Sequence, residues 1–117
     1  LVLWLLSEPD RLCDATRARV ESATVCVSVA SLWEIAIKHG LAKLAVSPAS
    51  VLARLEAGGA SILPIAAAHA VRAGALPRHH GDPFDRMLVA QALHEPLRLL
   101  TTDTLLAAYG PVVEVVD

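Results

Sequence analysis

Cysteine is scarce in this chain. Cys13 and Cys26 are the only two in 117 residues, with no close pair for a zinc site and no dense framework for disulfides. They read as reduced thiols of a cytosolic protein. Long apolar runs are missing too. Mean hydropathy is +0.52, yet the opening Leu1-Val2-Leu3-Trp4-Leu5-Leu6 falls far short of the roughly 18–20 residues of a membrane-spanning helix. No basic stretch leads into it as in a signal peptide. Positive charge is not in excess either: ten Lys and Arg stand against twelve Asp and Glu, a net formal charge of -2. That excludes a protein that coats nucleic acid through its overall field, so any contact with RNA or DNA must use a local patch. There is no Gly-rich phosphate loop, no Gly-x-Ser-x-Gly elbow, no internal repeat and no low-complexity stretch.

What remains is a chain 55% apolar, sized for one domain, in which strand and helix periods alternate. Residues 1–6 read as the remainder of an apolar helix, closed by a turn at Ser7, Glu8, Pro9 and Asp10. Helices are expected over residues 14–22, 31–39 (with Gly40 as the stop), 48–57, 66–73, 83–94 and 104–109. Strands are expected over residues 24–28, 61–64, 97–102 and 112–116. No Asn-Gly type hairpin turn joins the apolar runs. The pattern therefore predicts an α/β fold of three layers, a parallel sheet between helices. In such sheets ligands gather at the carboxyl ends of the strands, where the next helices begin.

Acids occupy those junctions. Glu34 follows the strand at residues 24–28, Asp82 and Asp85 open the helix at 83–94, and Asp103 follows the strand at 97–102. Each has a purely structural reading. Ser31 and Glu34 are spaced as a capping box, Asp82 is a good N-cap before Pro83, Asp85 suits the helix dipole, and Asp103 can cap the next helix. Glu34 can also pair with Lys38 one turn on. Together they point elsewhere. On a parallel sheet these junctions share one edge, and converging carboxylates repel unless a cation holds them. Oxygen-rich clusters of this kind suit Mg²⁺ or Mn²⁺. The loop Arg78-His79-His80-Gly81 runs into Asp82 and reads either as phosphate contact or as an exposed polar loop; a zinc site from His80 and Asp82 fits less well. His39, His69 and His94 read as surface or helix-end residues, and Trp33 as core.

Three segments in order, 29–38 (Val-Ala-Ser-Leu-Trp-Glu-Ile-Ala-Ile-Lys), 76–92 (Leu-Pro-Arg-His-His-Gly-Asp-Pro-Phe-Asp-Arg-Met-Leu-Val-Ala-Gln-Ala) and 99–103 (Leu-Leu-Thr-Thr-Asp), resemble PIN-domain proteins, and among them the VapC-type toxins of bacterial toxin–antitoxin modules. The resemblance covers nearly the whole chain. It implies a Mg²⁺- or Mn²⁺-dependent ribonuclease in which Glu34, Asp85 and Asp103 match metal-site acids and Asp82 matches the further acid of the Asp-Pro-Phe-Asp-Arg variant. It also implies a homodimer held inactive by a cognate antitoxin, in the cytoplasm. Arg78, His79, His80 and Arg86 are the candidate RNA-backbone contacts. The family opens with a central strand ending in Asp, ahead of the helix that residues 1–6 resemble. The expectation is thus a single PIN domain over residues 1–117, incomplete at its N-terminus, with a vacancy in the sheet roughly 4.7–4.9 Å from either neighbour. Two other readings remain: a PIN-like domain that only binds RNA or protein, and a phospho-accepting signalling domain, which would need a Lys after a late strand that residues 112–117 do not provide.

Overall fold

The computed structural model describes residues 3–8, 24–79 and 81–116. The elements in chain order are β1 (Leu3–Leu6), β2 (Thr24–Ser28), α1 (Val29–Gly40), α2 (Pro48–Ala57), β3 (Ser61–Leu63), α3 (Ala67–Ala75), α4 (Pro83–His94), β4 (Arg98–Thr101), a 3₁₀ helix (Thr104–Tyr109) and β5 (Val113–Val115). The strands form one parallel sheet in the order β3-β2-β1-β4-β5. The helix expected over residues 14–22, with Pro9, Asp10 and Cys13, lies outside the described residues.

The opening apolar run corrects the sequence reading. It is a strand, not a helix, and it fills the central position that was expected to be vacant. Leu5 is in register with Cys26 of β2 on one side and Leu99 of β4 on the other, and Leu6 with Val27 and Leu100. A short apolar run has no period that tells a buried strand from a buried helix. The neighbours decide: a strand flanked by two parallel strands needs apolar side chains on both faces. Leu5 packs with Leu88, Val89 and Ala92 of α4 on one face of the sheet. Trp4 and Leu6 pack with Val27 and Leu100 on the other, against Leu32 of α1 and Leu55 of α2. The three-layer architecture follows from this alternation.

Helix starts differ in one place that matters. α1 begins at Val29, not at residue 31, because Ser28 is the N-cap and its Oγ accepts the Ala30 N–H at 3.0 Å. Ser31 and Glu34 therefore form no capping box. Ser31 sits inside the first turn, and Glu34 lies beyond it. The other expected caps stand: Asp82 caps α4 ahead of Pro83, and Asp103 caps the 3₁₀ helix; Ser47 caps α2 ahead of Pro48. The C-terminus of α1 also departs from expectation. Gly40 is its last helical residue, and the left-handed position falls on Ala42, at φ 58°. There the Ala42 N–H donates to the His39 carbonyl (3.0 Å) and the Lys43 N–H to the Lys38 carbonyl (2.9 Å). This is the paired 5→2 and 6→1 closure of a Schellman turn, with alanine where glycine is usual.

Trp33 was expected in the core and is instead 60% exposed, edge-on to Phe84 with ring centroids 5.3 Å apart. α1 turns Ala30, Ser31 and Ile35 inward, and Trp33 lies on the opposite side. Among the described residues no helix is long and apolar enough to cross a membrane.

Candidate functional site

The strand order reverses direction of growth at β1: β2 and β3 lie to one side, β4 and β5 to the other. At such a switch point the loops leaving neighbouring strands part and open a crevice at their carboxyl ends. The crevice is present. Ser7 and Glu8 enter it from the end of β1, Ser31 and Glu34 from α1 after β2, Thr101 and Asp103 from the end of β4, and Asp82 and Asp85 from the start of α4. All four acids selected from the sequence, Glu34, Asp82, Asp85 and Asp103, thus line one cleft, and Glu8 adds a fifth. Glu8 was read only as part of a turn. Had residues 3–6 been read as a strand, the junction rule that selected the other acids would have selected Glu8 as well.

Some of these acids cap helices as well as lining the cleft. Asp82 Oδ1 accepts the Phe84 N–H at 2.8 Å and the Asp85 N–H at 3.4 Å. Asp103 Oδ1 accepts the Leu105 N–H at 2.9 Å, while its own N–H donates to Thr101 Oγ1 at 3.0 Å. Glu8 accepts the Thr102 hydroxyl at 2.8 Å. Glu34 caps nothing. Burial raises its pKa above the ordinary carboxylate value. Lys38, with Nζ 3.7 Å from Oε2, opposes that shift, and the charges of Asp82 and Glu8 reinforce it. The ion pair alone would lower the pKa; burial wins because Lys38 is half exposed and solvent weakens its pull.

Two hydroxyls in the cleft have no hydrogen-bond partner among the described residues. Ser31 Oγ and Ser7 Oγ are buried, at 2% and 6% residue exposure, without a hydrogen bond. A buried polar group left unpaired costs about 1–3 kcal/mol, so the pair marks a place that a ligand or water completes. The donor set of carboxylates and hydroxyls is that of a hard cation, Mg²⁺ or Mn²⁺. These residues fit such an ion. No three cleft residues bring ligand atoms within 4.8 Å of one another, since among the described residues His69, His94 and Glu95 form the only such group. A cation held by these residues would keep water in part of its shell, as Mg²⁺ commonly does.

The histidine group is a different object. His69 was expected at a surface or helix end; it is buried, and it does sit at a helix start. Its Nδ1 accepts the Ala66 N–H at 2.9 Å, and its Nε2 lies 2.6 Å from Glu95 Oε2. With Nδ1 already an acceptor, Nε2 carries the proton and donates to the carboxylate. No lone pair of this ring is left for a metal. The group ties the start of α3 to the end of α4.

The loop residues expected on RNA divide. Arg78 and His79 are exposed, and His79 packs edge-on to Tyr109. His80 lies outside the described residues. Arg86 does not reach the acidic cleft. Its guanidinium donates to the carbonyls of Ala73 (2.8 Å), Leu76 (3.0 Å) and Pro77 (3.0 Å) and to the Tyr109 hydroxyl (3.4 Å). With Arg78 it borders a separate hollow.

Comparison with known proteins agrees with the geometry. The fold is similar to that of VapBC2 from Rickettsia felis bound to a DNA fragment from its promoter (TM-score 0.72, 17% identity, 99% of this chain and 100% of that one). It is similar also to a toxin–antitoxin complex from Klebsiella pneumoniae (TM-score 0.68, 17% identity, 98% and 97%). No curated protein matches the sequence. The PIN domain family model matches residues 1–110; the chain belongs to the PIN domain family.

Proposed function

We propose that this protein is a metal-dependent endoribonuclease of the VapC type, the toxin of a toxin–antitoxin pair. One observation carries the reading: acids from four separate chain segments and two unpaired buried hydroxyls meet in a single cleft at the switch point of the sheet. Glu34, Asp85 and Asp103 are the proposed catalytic acids, with Asp82 and Glu8 completing the oxygen donors. These residues would hold Mg²⁺ or Mn²⁺, which when bound would supply polarisation of a phosphodiester and activation of water near neutral pH. Ser7 and Ser31 offer hydroxyls that hold water or a phosphate oxygen beside the carboxylates. Thr101 fixes the Asp103 backbone, so that this acid arrives oriented. Arg78 and His79, on the exposed loop, are proposed RNA-backbone contacts, with His80 beside them; Arg86 supports that loop through its three carbonyls.

The structural neighbours are toxin–antitoxin complexes, and this supports an antitoxin partner here. An exposed apolar ridge of Val29, Trp33, Ile37 and Leu41 along α1 gives a protein partner, antitoxin or second protomer, a surface to cover. The cytoplasm is the proposed compartment.

The test is incubation of the protein with total RNA in Mg²⁺ and in chelator, with the cleaved ends mapped. Cleavage in Mg²⁺ alone, lost in Asp85→Asn and Asp103→Asn, is expected. RNA binding without cleavage in any divalent cation would instead identify a PIN domain that only binds.

A further inference from the structure

The cleft is not lined by acids alone. Lys38 and Lys43 line it too, from the end of α1 and the turn after it, together with Glu34, Asp82, Asp85 and Asp103. Five carboxylates repel a polyanion, so an RNA strand needs a cationic surface beside them if a phosphate is to approach. The net charge of -2 supplies no general attraction.

The two lysines are held differently. Lys38 is paired with Glu34 at 3.7 Å. Lys43 has no ion pair or hydrogen bond from its ammonium among the described residues. Its backbone is nevertheless fixed. The Lys43 N–H closes the Schellman turn on the Lys38 carbonyl at 2.9 Å, Ala42 holds φ 58°, and His39 Nδ1 lies 3.0 Å from the next carbonyl, that of Leu44. The left-handed region is unfavourable for a residue other than glycine, and here that conformation turns the chain back at the end of α1, where Lys43 lines the same cleft as the acids. Lys43 is exposed, so its ammonium is open to a ligand entering the cleft.

We propose that Lys43 and Lys38 form the phosphate-binding wall of the cleft: Lys43 contacts an RNA phosphate directly, and Lys38 holds Glu34 as its counter-ion until a divalent cation takes that carboxylate, then turns to the phosphate as well. This rests on the ribonuclease reading for the identity of the polyanion. A cation held by Glu34 would compete with Lys38 for that carboxylate, which would leave the lysine free to meet a phosphate in the cleft. The fixed loop around Lys43 reduces the entropy lost when the contact forms.

The experiment measures affinity for a short single-stranded RNA by fluorescence anisotropy in EDTA, across a range of salt, where metal-dependent cleavage cannot interfere. The proteins are wild type, Lys43→Met, Glu34→Gln, the double variant Glu34→Gln/Lys38→Met, and Arg54→Met on α2 as a remote control. Losing one phosphate contact lowers the slope of log affinity against log salt by about 0.7. That loss is expected for Lys43→Met and not for Arg54→Met. Glu34→Gln frees Lys38 and is expected to raise affinity and steepen the slope by the same amount; the steepening disappears in the double variant. A separate Mg²⁺ titration without RNA, followed by thermal unfolding, is expected to saturate at lower Mg²⁺ in Lys38→Met than in wild type. An unchanged slope in Lys43→Met, or a steepening that persists in the double variant, overturns the wall whether or not the wild type cleaves RNA. Absence of Mg²⁺-dependent cleavage with the expected slopes intact overturns the nuclease reading and leaves the wall standing.

Discussion

Burial in the cleft raises the pKa of Glu34, and its effect on stability has a definite sign. Its folded pKa lies above the unfolded value, so the folded state binds more protons between the two. Stability from this group is full below about pH 4.3 and declines as pH rises through the raised folded value. In chelator at neutral pH, Glu34→Gln is therefore expected to unfold at a higher temperature than wild type, with the gap closing toward pH 4. A variant less stable than wild type at neutral pH would mean that the pairing with Lys38 outweighs the burial. Ala42 gives a second test at the same scale. Glycine relieves about 1–2 kcal/mol of left-handed strain and returns roughly 0.4–1 kcal/mol in unfolded-chain entropy. Ala42→Gly is expected to gain about 0.5–1 kcal/mol in denaturant unfolding; a loss would show that the methyl group packs usefully in the turn.

Elements are joined at their ends by a few polar side chains. Arg86 projects from the second turn of α4 and gathers the carbonyls at the end of α3, which a helix leaves without partners. These are charge-assisted bonds in a half-buried place. Arg86→Met is expected to cost about 2 kcal/mol, with Arg86→Lys recovering only part, because an ammonium cannot span several carbonyls in one plane. Arg78→Met, on an exposed residue, should leave stability within about 0.5 kcal/mol. Urea unfolding of the three variants separates a structural arginine from a surface one. Equal, small losses for both arginines would return Arg86 to the surface loop. At the other end of the same two helices, His69 and Glu95 make the matching tie.

At the scale of the whole molecule, the acid cleft is a cost that a cation removes. The junctions of β1, β2 and β4 and the start of α4 bring together groups that repel one another when empty-handed. Added Mg²⁺ is expected to stabilise the wild type by about 2.7 kcal/mol at a hundred times its dissociation constant. Asp85→Asn removes one of the repelling charges, so it should stabilise the protein in chelator and weaken the Mg²⁺ response. Differential scanning calorimetry of both proteins, in EDTA and in excess Mg²⁺, measures the two effects together. A Mg²⁺ response unchanged by Asp85→Asn would leave that residue as a helix-dipole partner only.

The local chemistry of the sequence determined much of this protein. Pro83 after Asp82 fixed the start of α4 through backbone geometry alone; alternation of strand and helix periods, without tight hairpins, fixed a parallel sheet. The acids could be chosen because each stands at a strand-to-helix junction, a position the sequence shows. The opening run of residues 3–6 could not be assigned, because its side chains are apolar at every position and no period separates helix from strand. Only its pairing with both β2 and β4 made it the central strand, and that placement brought Glu8 and Ser7 to the cleft. Trp33 was misjudged, and the carbonyls that Arg86 gathers were not foreseen, for the same reason. Which face of a helix meets the core, and which carbonyls lie within reach of a guanidinium, depend on partners far away in sequence. The Schellman turn at Ala42, which sets Lys43 against the acids, likewise follows from how α1 ends in three dimensions, two residues after the glycine that the sequence marks as the stop.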